Sequence, residues 1–307
     1  MRLLLCFLIA ASCDGPRTAQ PETAETEASS ASEGNDSTLE LPTPEAFART
    51  HDRFDSYWYQ GVAELSRYEL TQSRYGDTHE GEAVLIFVTE PFLPDAQVKH
   101  ESGDHESVSV LKINHYRRFY TGIYPYTVMT SAFQPVSGEA ALKVATSVQE
   151  WCGHAFTQLN RREGAVQATS HSYFQAEGDQ TDTLDDVPFE DALWSQIRRD
   201  PRAIPTGAQQ MIPALYWIRF KHRPLAAYDA EVSLTEGDHL TLEVRYPALG
   251  RTLRIHAQTN FPHAIDRWEE EDAEGTTRAR RTRAILTDYW SHNGAADGAY
   301  REALGVH

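Results

Sequence analysis

The sequence YDAEVSL, residues 228–234, alternates apolar with polar side chains at every position. A period of two puts the apolar side chains on one face of a β-strand and the polar ones on the other. The same alternation recurs in LTLEVRY (240–246) and LKVATSV (142–148). Because short turns separate such segments, the pattern predicts an antiparallel meander.

A second kind of strand is predicted from the run VLIFV at residues 84–88, which is apolar throughout. A continuous apolar run suits a strand that is covered on both faces. Other apolar and aromatic segments predict further strands, so that the first half of the domain has about six strands. These segments are residues 57–70, 108–114, 119–133 and 166–174.

One helix is predicted within this β-rich pattern. Phe189, Leu193 and Ile197 recur at helical spacing after Pro188, and the segment ends at Asp200-Pro201. We therefore expect a mainly β protein, with a large antiparallel sheet that is curved or forms an open half-barrel meander, covered by one α-helix.

The N-terminus predicts export. Met1-Arg2 is followed by an apolar run at residues 3–11, which is shorter than the ~20 residues of a spanning helix. The small residues before Cys13 resemble the lipobox of bacterial lipoproteins. That resemblance implies a signal peptide at residues 1–12, diacylglycerol on Cys13 and a lipid-anchored location in the cell envelope. The alternative is a secretory signal without lipidation.

Residues 13–45 are predicted to form a disordered tether, and residues 46–307 a single β-rich domain. Segment 14–45 has eight acidic residues, one arginine and no aromatic residue, so it cannot bury enough apolar surface to fold. The whole chain carries a formal charge of -17 and a mean hydropathy of -0.53. Such acidity argues against nucleic acid as a partner, since phosphate binding requires clustered cations.

The cysteines suggest one possible chemistry. After removal of Cys6 with the signal and lipidation of Cys13, one thiol remains, at Cys152, so no internal disulfide is expected. Cys152 and His154 could form a thiol nucleophile and its base. The alternative is that Cys152 is a small buried hydrophobe. We expect no metal and no cofactor, because no motif for either occurs.

Aromatic residues suggest a second chemistry. The candidates for an apolar ligand site are Trp58, Tyr75, Tyr124, Tyr126 and Trp151. The alternative is that these rings pack the core and its rim. The sequence thus leaves three functions open: a lipid-anchored protein that binds an apolar or envelope-derived ligand, a thiol-dependent hydrolase or transferase, and a structural partner in an envelope assembly.

Opposite charges cluster near the C-terminus. Four acidic residues at 269–272 precede four arginines within residues 278–283. A hairpin in this region would bring the two signs together across its strands, which favours a self-neutralised exposed hairpin over a basic binding patch.

Several strings carry a family resemblance, namely RYG at 74–76, TGIYPY at 121–126 and SVQEWCGH at 147–154. They resemble an uncharacterised family of exported bacterial lipoproteins, often labelled septum formation inhibitor Maf, over residues 54 to the end. That label implies a nucleotide pyrophosphatase of α/β fold, which the β-rich pattern contradicts. The pattern also resembles lipoprotein-carrier-like folds, whose curved sheet holds an acyl chain.

Overall fold

The computed structural model describes residues 39–306. The predicted signal peptide, the predicted lipidation site Cys13 and most of the predicted tether lie outside these residues. Within them, no helix is long and apolar enough to cross a membrane.

Fifteen strands and five short α-helices make up the described part of the chain. The strands are β1 Ala63–Arg74, β2 Asp77–Leu93, β3 Val98–Lys99, β4 Val108–Thr121, β5 Tyr124–Pro135, β6 Lys143–Glu150, β7 Gly153–Arg162, β8 Ala165–Ser172, β9 Gln180–Asp185, β10 Gly207–Met211, β11 Tyr228–Glu236, β12 Leu240–Tyr246, β13 Arg251–Ala257, β14 Ile265–Asp272 and β15 Gly275–Thr287. The helices are α1 Pro44–Ala48, α2 Phe54–Trp58, α3 Leu193–Arg199, α4 Leu215–Phe220 and α5 Gly298–Leu304.

All fifteen strands belong to one antiparallel sheet. Its order is β10-β11-β12-β13-β14-β15-β1-β2-β4-β5-β6-β7-β8-β9, and β3 adds to β2. Most neighbours are consecutive hairpin partners, but β1 pairs with β15 and so joins the two halves of the meander. The edge strands β9 and β10 do not pair; one parallel bridge, Phe189 to Ile212, connects the chain just beyond them. The prediction of a large, open antiparallel sheet is confirmed.

The sheet curls so strongly that distant strands touch across its interior. Arg117 on β4 donates to Glu270 on β14 at 2.7 Å, although β15, β1 and β2 lie between these strands. In a flat sheet four strand spacings would separate them by about 19 Å. The Tyr68 hydroxyl on β1 likewise donates to the carbonyl of Ile265 on β14 at 2.7 Å.

Two helices, α3 and α4, fill the concave face, where the sequence predicted one. The Trp194 ring on α3 lies 4.8 Å from His115 and 5.2 Å from Trp268 (centroid distances), so it contacts both walls of the sheet. The predicted helix is α3, preceded by a 3-10 turn at Glu190–Ala192 and ending before Asp200 as expected. Helix α4 escaped prediction because its six residues are too few to show a helical period.

The first predicted strand, residues 57–70, is wrong at its start, since Tyr57 and Trp58 end helix α2 and β1 begins at Ala63. On a strand these adjacent rings would point to opposite faces. In the helical turn both are buried, with centroids 4.8 Å apart. The Tyr57 hydroxyl donates to Glu64 at 2.5 Å, which holds α2 against β1.

The run at residues 84–88 is covered on both faces, as predicted. Leu85 and Phe87 belong to the main interior core. Val84 and Val88 belong to a smaller outer cluster, which Leu304 of α5 helps to cover. The C-terminal helix therefore shields the outer face of the central strands.

The boundary of the predicted tether at residue 45 falls inside the folded part. Thr43 caps α1, its hydroxyl accepting from the Ala46 amide at 3.2 Å. The Leu286 amide donates to the carbonyl of Pro42 at 2.9 Å, and Glu45 pairs with Arg281 at 2.5 Å. Residues 42–45 are thus fixed to β15.

The predicted charged hairpin exists as β14 and β15, but its charges are shared with neighbouring strands. Glu269 faces Arg278 across the hairpin, with nitrogen and oxygen 4.0 Å apart. Glu271 pairs instead with Arg254 on β13, and Arg280 with Glu69 on β1. Arg281 pairs with Glu45 of α1 and Asp266 of β14, and Arg283 donates to the carbonyls of Glu302 and Ala303 in α5. All four arginines thus have partners within the fold, which argues against a free basic patch.

A buried charge network crosses the interior. Arg251 on β13 pairs with Glu190 beside α3, one of the two nitrogen–oxygen contacts being 2.6 Å, and lies 3.5 Å from Glu270. Burial and the nearby Arg117 hold the pKa of His115 well below its ordinary value. The neutral imidazole can therefore accept the Arg117 Nε hydrogen bond at 3.0 Å.

Asp191 links this network to α4. Its carboxylate accepts the Leu215 amide, the first of α4, at 2.9 Å. Burial raises the pKa of Asp191 from 3.8 to about 7, because the ionised carboxylate loses its hydration there. The folded chain therefore retains a proton that the unfolded chain releases between these two values.

We predict that Asp191→Asn changes the pH dependence of stability. As pH rises from about 4 to 7, ionisation of Asp191 lowers the free energy of unfolding of the native protein by up to about 1.4 kcal/mol per pH unit. The asparagine variant lacks this loss, because an amide does not ionise. The melting temperature of the variant should therefore rise relative to that of the native protein as pH increases over this range. Thermal unfolding followed by circular dichroism measures this, with the exposed Asp182→Asn as control. A difference that does not vary with pH would contradict the argument.

Candidate functional site

Alternate hairpin turns gather exposed aromatic and apolar side chains at one end of the sheet. We call this end the hairpin rim and define it by the turns at Tyr75–Gly76, Gly122–Ile123 and Trp151–Cys152. The exposed fractions are 60% for Tyr75, 78% for Ile123 and 68% for Trp151. In an antiparallel meander alternate turns lie at the same end, so the topology alone collects them.

Four of the five predicted ligand-binding residues meet at this rim. The hydroxyls of Tyr75 and Tyr126 are 2.7 Å apart. The Tyr124 centroid lies 5.8 Å from that of Tyr126 and 6.3 Å from that of Trp151. Trp58 lies elsewhere, buried against Phe87 and 5.1 Å from the Arg198 guanidinium. The structure thus groups four candidates and places the fifth in the core.

Arg74 ties the rim to helix α4. Its guanidinium donates to the carbonyl of Phe220, the last residue of α4, and lies 4.2 Å from the centroid of Tyr75. A cation at a helix C-terminus can donate a hydrogen bond to a free carbonyl and interacts favourably with the negative end of the helix dipole. The position of α4 is therefore coupled to the aromatic turns.

Beside α4 the interior holds a cavity of about 340 Å³. It lies between α4 and the inner faces of β7 and β8, and we call it the inner cavity. Its lining combines an aliphatic side, with Leu215, Ile218 and Leu225, and a polar side, where the Thr157 and Ser170 hydroxyls lie 3.0 Å apart. The sequence analysis missed it because it depends on where α4 packs.

An ion pair lies at the mouth of the inner cavity. Glu177, in the loop between β8 and β9, lies 3.0 Å from Arg219 on α4 and 3.0 Å from His222 Nδ1. The same carboxylate accepts the Ser172 hydroxyl at 2.7 Å. The contacts join the β8–β9 loop to α4 across the opening.

Cys152 and His154 are both exposed, on the turn and on the first residues of β7. The interpretation of Cys152 as a buried hydrophobe is therefore wrong. No hydrogen bond joins its thiol to His154 in residues 39–306. The Glu150 carboxylate accepts the Cys152 amide at 2.6 Å and raises the pKa of the thiol, which opposes thiolate formation.

Within residues 39–306 no group of three or more His, Cys, Asp or Glu side chains is arranged to hold a metal ion. Potential ligands are instead committed to pairs. His171 Nδ1, for example, lies 3.3 Å from Asp179.

Comparison with known proteins gives a limited result. No protein-family model matches the sequence, and no curated protein matches it. Among solved structures, the chain is similar to a β-barrel-like protein of the domain of unknown function DUF1849 from Brucella abortus. The TM-score is 0.46 at 8% identity, covering 74% of this chain and 98% of that chain. The resemblance to exported lipoproteins stays a prediction.

We predict that thiol reagents modify Cys152 in the native protein, because the side chain is exposed. The rate should rise steeply with pH, since the pKa of the thiol is raised. Glu150→Gln should accelerate the reaction at pH 8 by removing the negative charge. Mass spectrometry of the Cys152 peptide after timed alkylation measures both rates. Equal rates in the two proteins would show that Glu150 does not suppress the thiolate.

Proposed function

We propose that this protein is a binding protein of the bacterial cell envelope whose ligand is amphipathic, with one short apolar body and an acidic headgroup. The observation that carries the proposal is the inner cavity between α4 and the β7–β8 hairpin. Its volume of about 340 Å³ falls at the small end of the ~300–1,000 Å³ typical of ligand pockets.

The lining supports the apolar body. Leu215, Ile218 and Leu225 present aliphatic surface from α4 and the segment after it, and Ala155 does so from β7. The Thr157 and Ser170 hydroxyls satisfy each other, so an apolar ligand there leaves neither of them without a partner.

The mouth supports the acidic headgroup. Arg219, His222 and the exposed Arg223 border it. The Glu177 carboxylate forms an ion pair with Arg219, and a ligand carboxylate or phosphate could exchange with it on the same guanidinium. Exchange would free the β8–β9 loop to move aside.

Because α3 and α4 cover the concave surface, the inner cavity is the space in which an apolar ligand would bind. The space that remains fits one short apolar group rather than a large lipid. A pocket of this size with a charged mouth favours a ligand that has one short apolar body and an acidic headgroup.

We predict that the full-length protein binds the anionic apolar dye 1-anilinonaphthalene-8-sulfonate at one site. Ser170→Phe should abolish this binding, because the added ring fills the inner cavity. The matched control is Thr169→Phe, whose side chain lies on the opposite face of β8. Fluorescence titration gives the stoichiometry, and melting temperatures verify folding. Equal binding by Ser170→Phe and native protein would refute the proposal.

The envelope location remains a proposal that rests on Cys13. We predict that cells labelled with a fatty-acid probe incorporate it into the native chain and that Cys13→Ala loses both the label and membrane partitioning. Cys152→Ala serves as the matched control and should still be labelled. A labelled Cys13→Ala variant would exclude lipidation at this position.

A further inference from the structure

A second concavity lies on the outer face of β5 to β8 and shares three lining residues, Ala155, His171 and Ser172, with the inner cavity. Its volume is about 510 Å³, and we call it the outer groove. Two cross-strand rows of outward side chains form it. One row consists of Thr127, Gln149 and His154, and Tyr173 lies beside it. The other row consists of Ser147, Phe156 and His171.

Tyr173 forms an aromatic wall of this groove. Its ring packs directly on Gly153, where an added Cβ would lie only 2.6 Å from Tyr173 Cδ1. Tyr173 nevertheless remains 77% exposed. One side of the ring contacts Gly153, and the rest of its surface faces solvent and is available for a ligand to stack on.

Polar side chains surround the ring without a positive cluster. The lining contains hydroxyl, amide and imidazole groups, and neither Lys nor Arg is among its residues. Its one carboxylate, Asp179, lies 3.3 Å from His171. The groove thus offers mainly hydroxyl, amide and imidazole groups for hydrogen bonds and has no Lys or Arg to bind an anionic ligand.

We propose that the outer groove binds a neutral oligosaccharide. A pyranose ring has an apolar C–H face that suits an aromatic ring and a border of hydroxyls that suits these polar side chains. An extended peptide fits less well, because the strands at the floor of the groove are already paired on both sides. The open shape accommodates several sugar units.

The test uses the full-length protein with cellohexaose and chitohexaose as probes, measured by isothermal titration calorimetry. We expect binding of at least one hexasaccharide. Tyr173→Ala should weaken it by about threefold to tenfold, the loss expected for one aromatic contact. Gly153→Ala should weaken it similarly by displacing the ring, although it removes no ligand contact, whereas Tyr173→Phe should retain binding.

Tyr75→Ala, on the hairpin rim outside the groove, is the matched control and should bind the sugar as the native protein does. Dye binding in the inner cavity should be unchanged in Tyr173→Ala, which also shows that this variant is folded. Absence of binding by the native protein to both hexasaccharides, or equal affinity in Tyr173→Ala, would overturn the proposal and leave the inner cavity unaffected.

Discussion

The ion pair between Arg117 and Glu270 is the constraint on which the architecture depends. Both side chains are buried, and removing one partner of such a pair costs about 3–5 kcal/mol because the other charge is left without compensation. The pair forms only if β4 and β14 face each other across the interior. The curvature of the sheet and the neutralisation of these charges therefore require one another.

The neighbouring pairs extend this constraint to the helices. Arg251 holds Glu190 at the start of the α3 segment, and Asp191 holds the first amide of α4. From the other end of α3, Arg198 binds Glu64 on β1 with its two terminal guanidinium nitrogens, at 2.5 and 2.6 Å. With α3 and α4 fixed in this way, the inner cavity is the space left between α4 and the β7–β8 hairpin.

The sequence predicted features that depend on neighbouring residues and missed contacts between residues far apart in the chain. Alternation with period two located strands such as β6, β11 and β12, because side-chain direction along a strand depends only on neighbouring residues. Arg117 and Glu270 are 153 positions apart, and nothing in a single sequence marks them as partners. Arginines that suggest a solvated surface turned out to be core residues.

The site could be predicted only in part, for the same reason. The aromatic candidates come together because they lie in or directly beside alternate hairpin turns, and the turn residues are visible in the sequence. Trp58 was misplaced because it ends a helix and the first strand begins only five residues later, at Ala63, without a clear signal between them. The outer groove depends on a ring from the β8–β9 loop seated on a glycine of β7, a contact that no local pattern reveals.

The pairing of β1 with β15 has a consequence for how the chain folds. Glu69 and Arg280, a contact between these strands, are 211 positions apart, so the junction closes a very long loop, and contacts of this kind slow folding. At about 5–20 residues per second, a ribosome takes roughly 10–40 s to make the residues between the two strands. During that time β1 has one hydrogen-bonding edge without its native partner, and such an edge can pair with other chains. The protein is therefore most prone to aggregate after β1 has been made and before β15 has been made. Pairing with β15 then covers the free edge of β1.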